Sequence, residues 1–253
     1  MEWDAPAVVL EARPLGEADL LVTVMTGEHG RHLGLARGGQ SRRQASLWQA
    51  GNLISARWLG RLAEQLGTLS GEVVHATAAF VMDDALALDL LRAACAVAEG
   101  ALPEREPHPR VFDGLVALLA RVGRPEEMLA DYVRWEVGLL GELGYGLDFS
   151  GCPVTGATSG LAYVSPRTGR AVSKEGAGEW ADRLLPLPGF VVGGNIAEAP
   201  DWAAGLRLTG HFLARDAFGA HHKPLPAARQ MLYERVAAML DSAADESEPD
   251  DAG

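Results

Sequence analysis

The chain has 253 residues, 34 acids against 22 bases, a formal net charge of −12 and 48% hydrophobic residues. That length suits one large domain or two modest ones, and the apolar content can fill a core. Two cysteines far apart in sequence exclude a disulfide framework and fit a reducing compartment, while the start MEWDAPAVVL lacks the basic and apolar regions of a secretory signal. No apolar run reaches the length of a membrane span, so the expectation is a cytoplasmic protein without a membrane anchor.

The first third reads as strands. Residues 7–13 and 20–26 are rich in β-branched and apolar side chains, and Pro14, Gly16 and Glu17 punctuate between them. The run TGEHGR has the glycines of a tight hairpin, and a third strand follows from Arg31 to Arg37. Residues 38–51 form a connection rich in Gly, Gln and Arg. Residues 52–61 alternate, which turns Ile54, Ala56 and Trp58 one way and Ser55, Arg57, Leu59 and Arg61 the other. A fifth strand spans about 66–74. Five short strands with one long connection predict a small closed barrel of the OB type over residues 1–80.

One stretch inverts the charge of the whole. From His29 to Ala63 there are six arginines, Arg31, Arg37, Arg42, Arg43, Arg57 and Arg61, and no Asp or Glu. Average composition would place about five acids there. A basic strip within an acidic protein points to a polyanion-binding face. OB barrels hold single strands with a basic groove and aromatic platforms. Trp48 is the candidate for stacking on a base, with a plug at the barrel end as its plainer role. His29 and His32 have H-x-x-H spacing, but without neighbouring acids they are expected at the surface rather than on a metal. Residues 1–80 carry seven arginines and eight acids, so binding requires folding to segregate the charges.

From Ala76 the period changes to that of helices. One long helix is expected to about Gly100, with Phe80, Leu88, Leu91 and Cys95 on its apolar side. A proline-rich linker, ALPEREPHPR, follows. Helices over about 111–122 and from Pro125 come next; in the latter Met128, Tyr132, Trp135, Leu139 and Leu143 make a core stripe that ends at Gly144–Gly146. Residues 151–180 resemble a small hairpin module. Two further helices cover about 201–219 and 225–240. The tail 241–253 has six acids and no base, and is expected to be disordered. It either folds back on the basic strip and competes with nucleic acid or merely solubilises the chain.

Catalytic constellations are missing from the sequence. There is no G-x-S-x-G elbow and no phosphate loop ending in Gly-Lys-Ser/Thr. Asp83–Asp84 and Glu126–Glu127 sit where a helix dipole wants negative charge. The expectation is a binding protein rather than an enzyme.

Four blocks in order carry a family resemblance: VVLEARPLGEADLLVTVMTGEHGRHLGLARG near the start, LLGELGYGLDFSGC at 139–152, YVSPRTG at 163–169 and GAHHKPLPAAR at 219–229. Over about residues 6–232 the chain resembles RecO, the bacterial recombination mediator family. The resemblance implies an α+β fold, with a five-stranded OB barrel followed by an all-α domain (81–240) that carries a zinc-finger-like hairpin insert. It implies binding of single- and double-stranded DNA, annealing of complementary strands, and partnership with RecR and with the acidic tail of the single-strand-binding protein SSB. It further implies help in loading RecA, and a place at the nucleoid. Many relatives carry a four-cysteine zinc module; here Cys152 stands at the first position, Thr155 at the second, and Ser173 and Gly176 near the third and fourth. One thiol cannot supply a structural zinc site, so no metal and no cofactor are expected. In the last block Lys223 and Arg229 remain as candidate anion or partner contacts.

The expected mechanism is electrostatic. Arginines neutralise phosphates and release counterions without reading bases. All six together on a single strand predict a slope of log affinity against log salt of roughly −4. The alternatives are a protein–protein adaptor built on the same barrel and an RNA-binding module.

Overall fold

A computed structural model describes residues 1–61, 66–121, 124–194 and 198–245. The chain divides into two compact units, Met1–Met128 and Leu129–Gly253.

The first unit begins with a closed five-stranded barrel: β1 (Glu2–Leu15), β2 (Asp19–Thr26), β3 (Gly30–Ala36), β4 (Leu53–Leu59) and β5 (Gly67–His75), in the order β1-β2-β3-β5-β4. β1 starts five residues before its apolar run, because Glu2 to Pro6 pair with Leu59 to Ser55 on β4. From Ala7 to Leu15 it pairs with β2, with a register break between Val9 and Glu11. One long strand thus serves two neighbours. Its odd positions Trp3, Ala5, Ala7 and Val9 face the barrel core, with Val22 and Val24 of β2 and Ile54, Ala56 and Trp58 of β4. The predicted alternation of β4 holds residue by residue. Closure rests on the parallel pair Gly34–Gly67 and its neighbour Leu35–Thr68. Glycine is required at both closing positions. A Cβ on Gly67 would lie 2.3 Å from the Trp58 indole, and one on Gly34 would lie 2.7 Å from Leu69 Cβ.

The expected long helix is two. α1 (Thr77–Phe80) stops, and Asp84 caps α2 (Ala85–Ala101) by accepting from the amides of Leu86 and Ala87, both at 2.9 Å. Such a cap satisfies amides that a helix start leaves open. Phe80 therefore does not join the apolar side: it is 70% exposed and stacks on His75. α2 packs on the outer side of β1, where the buried Cys95 Sγ meets the Val9 carbonyl at 3.8 Å. Burial pushes that thiol up to about 12. α3 (Pro109–Leu119) follows, and α4 (Pro125–Glu142) runs from the first unit into the second. The unit that holds the barrel therefore extends well past residue 80.

In the second unit, Tyr132, Trp135 and Leu139 of α4 are buried as the stripe predicts. A three-stranded sheet, β6 (Leu161–Val164), β7 (Ala171–Ser173) and β8 (Leu185–Pro186), has the order β7-β6-β8 and carries the short α5 (Lys174–Ala177). The hairpin module is thus present, with a third strand added. α6 (Ala199–Phe212) runs on into a π-helical turn at Leu213–Ala217, and α7 (Ala227–Asp245) ends the described chain. The predicted disordered tail falls on the last turn of α7 and on residues 246–253, which lie outside the described residues. The architecture is α+β, as expected.

Candidate nucleic-acid interface

The connection between β3 and β4 is short of regular structure but tightly anchored. Gly38 N donates to Asp19 Oδ1 at 2.8 Å, and Gln40 Nε2 donates to the Gly16 and Asp19 carbonyls at 3.1 and 2.8 Å. These bonds seat its first half against the β1–β2 turn. At the other end Gly51 N reaches the Val9 carbonyl at 2.8 Å, and Asn52 Nδ2 donates to the Ser46 carbonyl at 2.7 Å. Arg37 just before the first anchor, and Arg42 and Arg43 between the anchors, are exposed and make no ion pair with a described residue. An anchored connection therefore presents three exposed arginines to solvent. Arg13, near the end of β1 beside the same turn, is held by Glu11 at 3.2 Å.

The other three arginines of the stretch stand elsewhere. Arg31 is turned inward: its side chain is 15% exposed, with Nε donating to the Leu102 carbonyl at 2.9 Å, one η nitrogen to Glu99 at 3.0 Å and the other 3.8 Å from Glu104. Arg57 stands on the outer wall, where Asp4 and Ser70 lie opposite it in the register, and it is ion-paired with Glu2. Arg61 is exposed and makes no ion pair with a described residue. It leaves the barrel at the far end, because β4 runs antiparallel to β5 while β3 runs parallel to it. Folding thus divides the six-arginine strip: three stand exposed at or on the β3–β4 connection, two are ion-paired and one leaves from the end of β4. The acids that neutralise Arg31 and Arg57 come from outside the stretch, so inspection of the stretch could not reveal them.

For Trp48 the stacking role falls and the plainer one, a plug, stands. It is 2% exposed and belongs to the barrel core, so it closes the barrel end and offers no face to a base. The histidines also differ from expectation. His29 stacks on Trp3 with ring centres 4.9 Å apart, and His32 packs edge-on against Trp3 and Trp58. His32 is buried, and burial, helped by Arg105 and His29, holds its pKa below the ordinary value. Among the described residues no cluster of three or more His, Cys, Asp or Glu is placed to hold a metal.

In the second unit the two candidate anion contacts part company. Lys223 is exposed. Arg229 is 1% exposed and bound by the buried Glu136 of α4: Nε donates to Oε1 at 2.6 Å, and an η nitrogen donates to Oε2 at 3.0 Å. The same η nitrogen donates to the Leu206 carbonyl at 2.8 Å, while the Thr209 hydroxyl donates to Glu136. Burial alone would lower the Arg229 pKa, but Glu136 overrides it and holds it above the ordinary value. Tyr132, whose ring lies under the guanidinium, is raised well above its ordinary pKa by burial and then by Glu136. Arg229 is therefore a bolt joining α7, α6 and α4, and cannot reach an external anion. Its place in a basic-looking block hid this, since the partner lies 93 residues away.

The hairpin positions singled out with Cys152 do come together. Cys152 is buried, Thr155 Oγ1 and Ser173 Oγ are 3.1 Å apart, and the Gly176 amide donates to Ser173 Oγ at 3.0 Å. One thiol, two hydroxyls and a glycine do not make the four nitrogen or sulfur ligands of structural zinc.

Comparison with known proteins gives a consistent result. The family described as Recombination protein O N terminal matches residues 1–77, and the one described as Recombination protein O C terminal matches residues 82–225. A protein named DNA repair protein RecO from Granulibacter bethesdensis is 54% identical over 247 residues, 96% of this chain and 98% of its own. Proteins of the same name from Acidiphilium cryptum and Rhodospirillum centenum are 56% and 51% identical. The first of these two covers 95% of this chain and 97% of its own, the second 93% and 94%. Among the described residues no helix is long and apolar enough to cross a membrane.

Proposed function

The chain belongs to the RecO family of DNA repair proteins, and from that premise we propose that it holds DNA through the rim formed by Arg37, Arg42 and Arg43. Its role lies in DNA repair and recombination. In the proposal it binds single and double strands alike, anneals complementary strands, and works with RecR and the acidic tail of SSB to help load RecA, without turnover chemistry of its own. The observation that carries this reading is the anchored connection between β3 and β4, with three exposed guanidinium groups free of ion pairs to any described residue. Cations on a fixed backbone meet phosphates without reordering the protein. They leave the bases free, as pairing with a second strand demands.

The dispersal of the strip sharpens the expected number. Three arginines engaging a single strand give a slope of log affinity against log salt of about −2, not the roughly −4 of six. Adding Arg61 would bring it to about −3. The test is fluorescence anisotropy of labelled oligonucleotides of several sequences across a salt series, with an acidic peptide as competitor. A slope near zero, or a strong preference for one sequence, would sink the proposal. Displacement of DNA by the peptide at equal charge would instead favour the adaptor reading.

A further inference from the structure

Cys152, Thr155, Ser173 and Gly176 are separated by two, seventeen and two residues. Two such pairs about 15–20 residues apart have the spacing of a four-ligand zinc knuckle. The structure shows that the spacing is more than formal. A Cβ placed on Gly176 would lie 2.8 Å from Cys152 Sγ, 3.1 Å from Ser173 Oγ and 3.3 Å from Thr155 Cγ2. Three side chains therefore converge on the point that a fourth would enter. The donor set, however, is wrong for a metal: neutral hydroxyls are poor zinc ligands, and glycine brings none.

We propose that this module is a metal-free knuckle: a thiol–hydroxyl core pins the two turns that a metal would otherwise join, and the scaffold retains the geometry of a tetrahedral site. The pins are visible on each side. On the first turn, Cys152 N donates to the Ala157 carbonyl and Gly156 N to the Cys152 carbonyl, both at 2.8 Å. On the second, Ser173 caps α5 through the Gly176 amide, and Lys174 N donates to the Gly160 carbonyl at 3.2 Å. Thr155 and Ser173 join the turns through their hydroxyls. Cys152 packs with Val172 and Ala177, and Leu161, Tyr163, Ala181 and Leu184 surround them. This apolar cluster does what metal coordination does in knuckles that unfold on chelation. Cys152 brings the only soft donor of the four positions, so it is the one member still suited to ligation.

The experiment has two arms on the full-length protein. In the first, zinc content is measured by mass spectrometry, and thermal melting is followed with and without a strong chelator. Substoichiometric zinc and an unchanged melting curve are expected. Stoichiometric zinc, or melting that a chelator lowers, overturns the proposal. In the second arm the variant T155C/S173C/G176C is titrated with Co²⁺. One equivalent should bind, with the visible absorption of tetrahedral thiolate coordination, and Zn²⁺ should raise the melting temperature. A folded triple variant that leaves Co²⁺ unbound overturns the retained geometry. Because position 176 is tight, T155C/S173C provides the same reading with three thiols should the triple variant fail to fold; weaker Co²⁺ binding supports the proposal and none overturns it.

Discussion

Arg42 and Arg43 stand exposed on the β3–β4 connection, whereas Arg229 on α7 is buried and bonded twice to Glu136. All three are arginines in segments that read as basic or anion-binding. Their surroundings give them opposite work. Solvated guanidinium groups lose little on meeting a phosphate and gain counterion release. A guanidinium inside an apolar core cannot be spared, because its departure strands a carboxylate in a low dielectric. A count of arginines is therefore not a count of DNA contacts.

The sharpest way to test the contrast is to cut the bolt. Arg229→Met leaves Glu136 buried without its partner and should cost about 3–5 kcal/mol in urea unfolding. A double change, Arg229→Met with Glu136→Leu, should recover most of the loss, since apolar groups of similar size often replace a buried pair without penalty. An Arg229 variant as stable as the parent would show that the pair is not a bolt.

Arg31 is an intermediate case. It lies in the basic stretch but is bonded to Glu99 and the Leu102 carbonyl. Arg31→Ala should cost about 1–2 kcal/mol of stability, and the salt slope of DNA binding should stay where it was. A flattened slope in that variant would move Arg31 to the DNA-binding group. Arg42→Glu with Arg43→Glu should do the reverse. Stability should change by no more than about 0.5 kcal/mol, while the slope on single strands falls from about −2 to below about −1 in size. Unaltered binding would remove the rim from the account.

The smallest effect concerns His32. Its folded pKa lies below the unfolded value, so the native state favours the neutral ring. That contribution is complete above the unfolded value of about 6.5 and is lost as pH falls toward the folded value. Between about pH 7 and 5 the parent should lose more melting temperature than His32→Gln. Equal losses would mean that the ring is not buried neutral against Trp3 and Trp58.

Much of the fold was legible beforehand. Alternation in 52–61 put Ile54, Ala56 and Trp58 inward, and all three are in the core. The three-and-four spacing of Tyr132, Trp135 and Leu139 marked a buried helix face. The misses have local causes. Pro6 and the early acids disguised the start of β1, whose pairing with β4 is long-range. Asp84 could be read either as a residue within a helix or as the cap that begins one, and only its bonds to Leu86 and Ala87 decide it. The candidate site was half legible. Arg37, Arg42 and Arg43 were singled out as part of a basic stretch without acids, and the exposure of Arg42 and Arg43 was legible because a connection rich in glycine and glutamine lies at the surface. Trp48 lies in the same connection and turned inward, as a large apolar ring does when a barrel end is open to it.

Periodicity and turn chemistry act over a few residues, so the order of residues alone determined most strands and helices and the family to which the chain belongs. Which charge meets which was decided only by tertiary structure. Glu99 reaches Arg31 across 68 residues, Glu2 reaches Arg57 across 55 and Glu136 reaches Arg229 across 93. Electrostatic interaction depends on distance in space and on exposure to water, and neither quantity exists until the chain has folded.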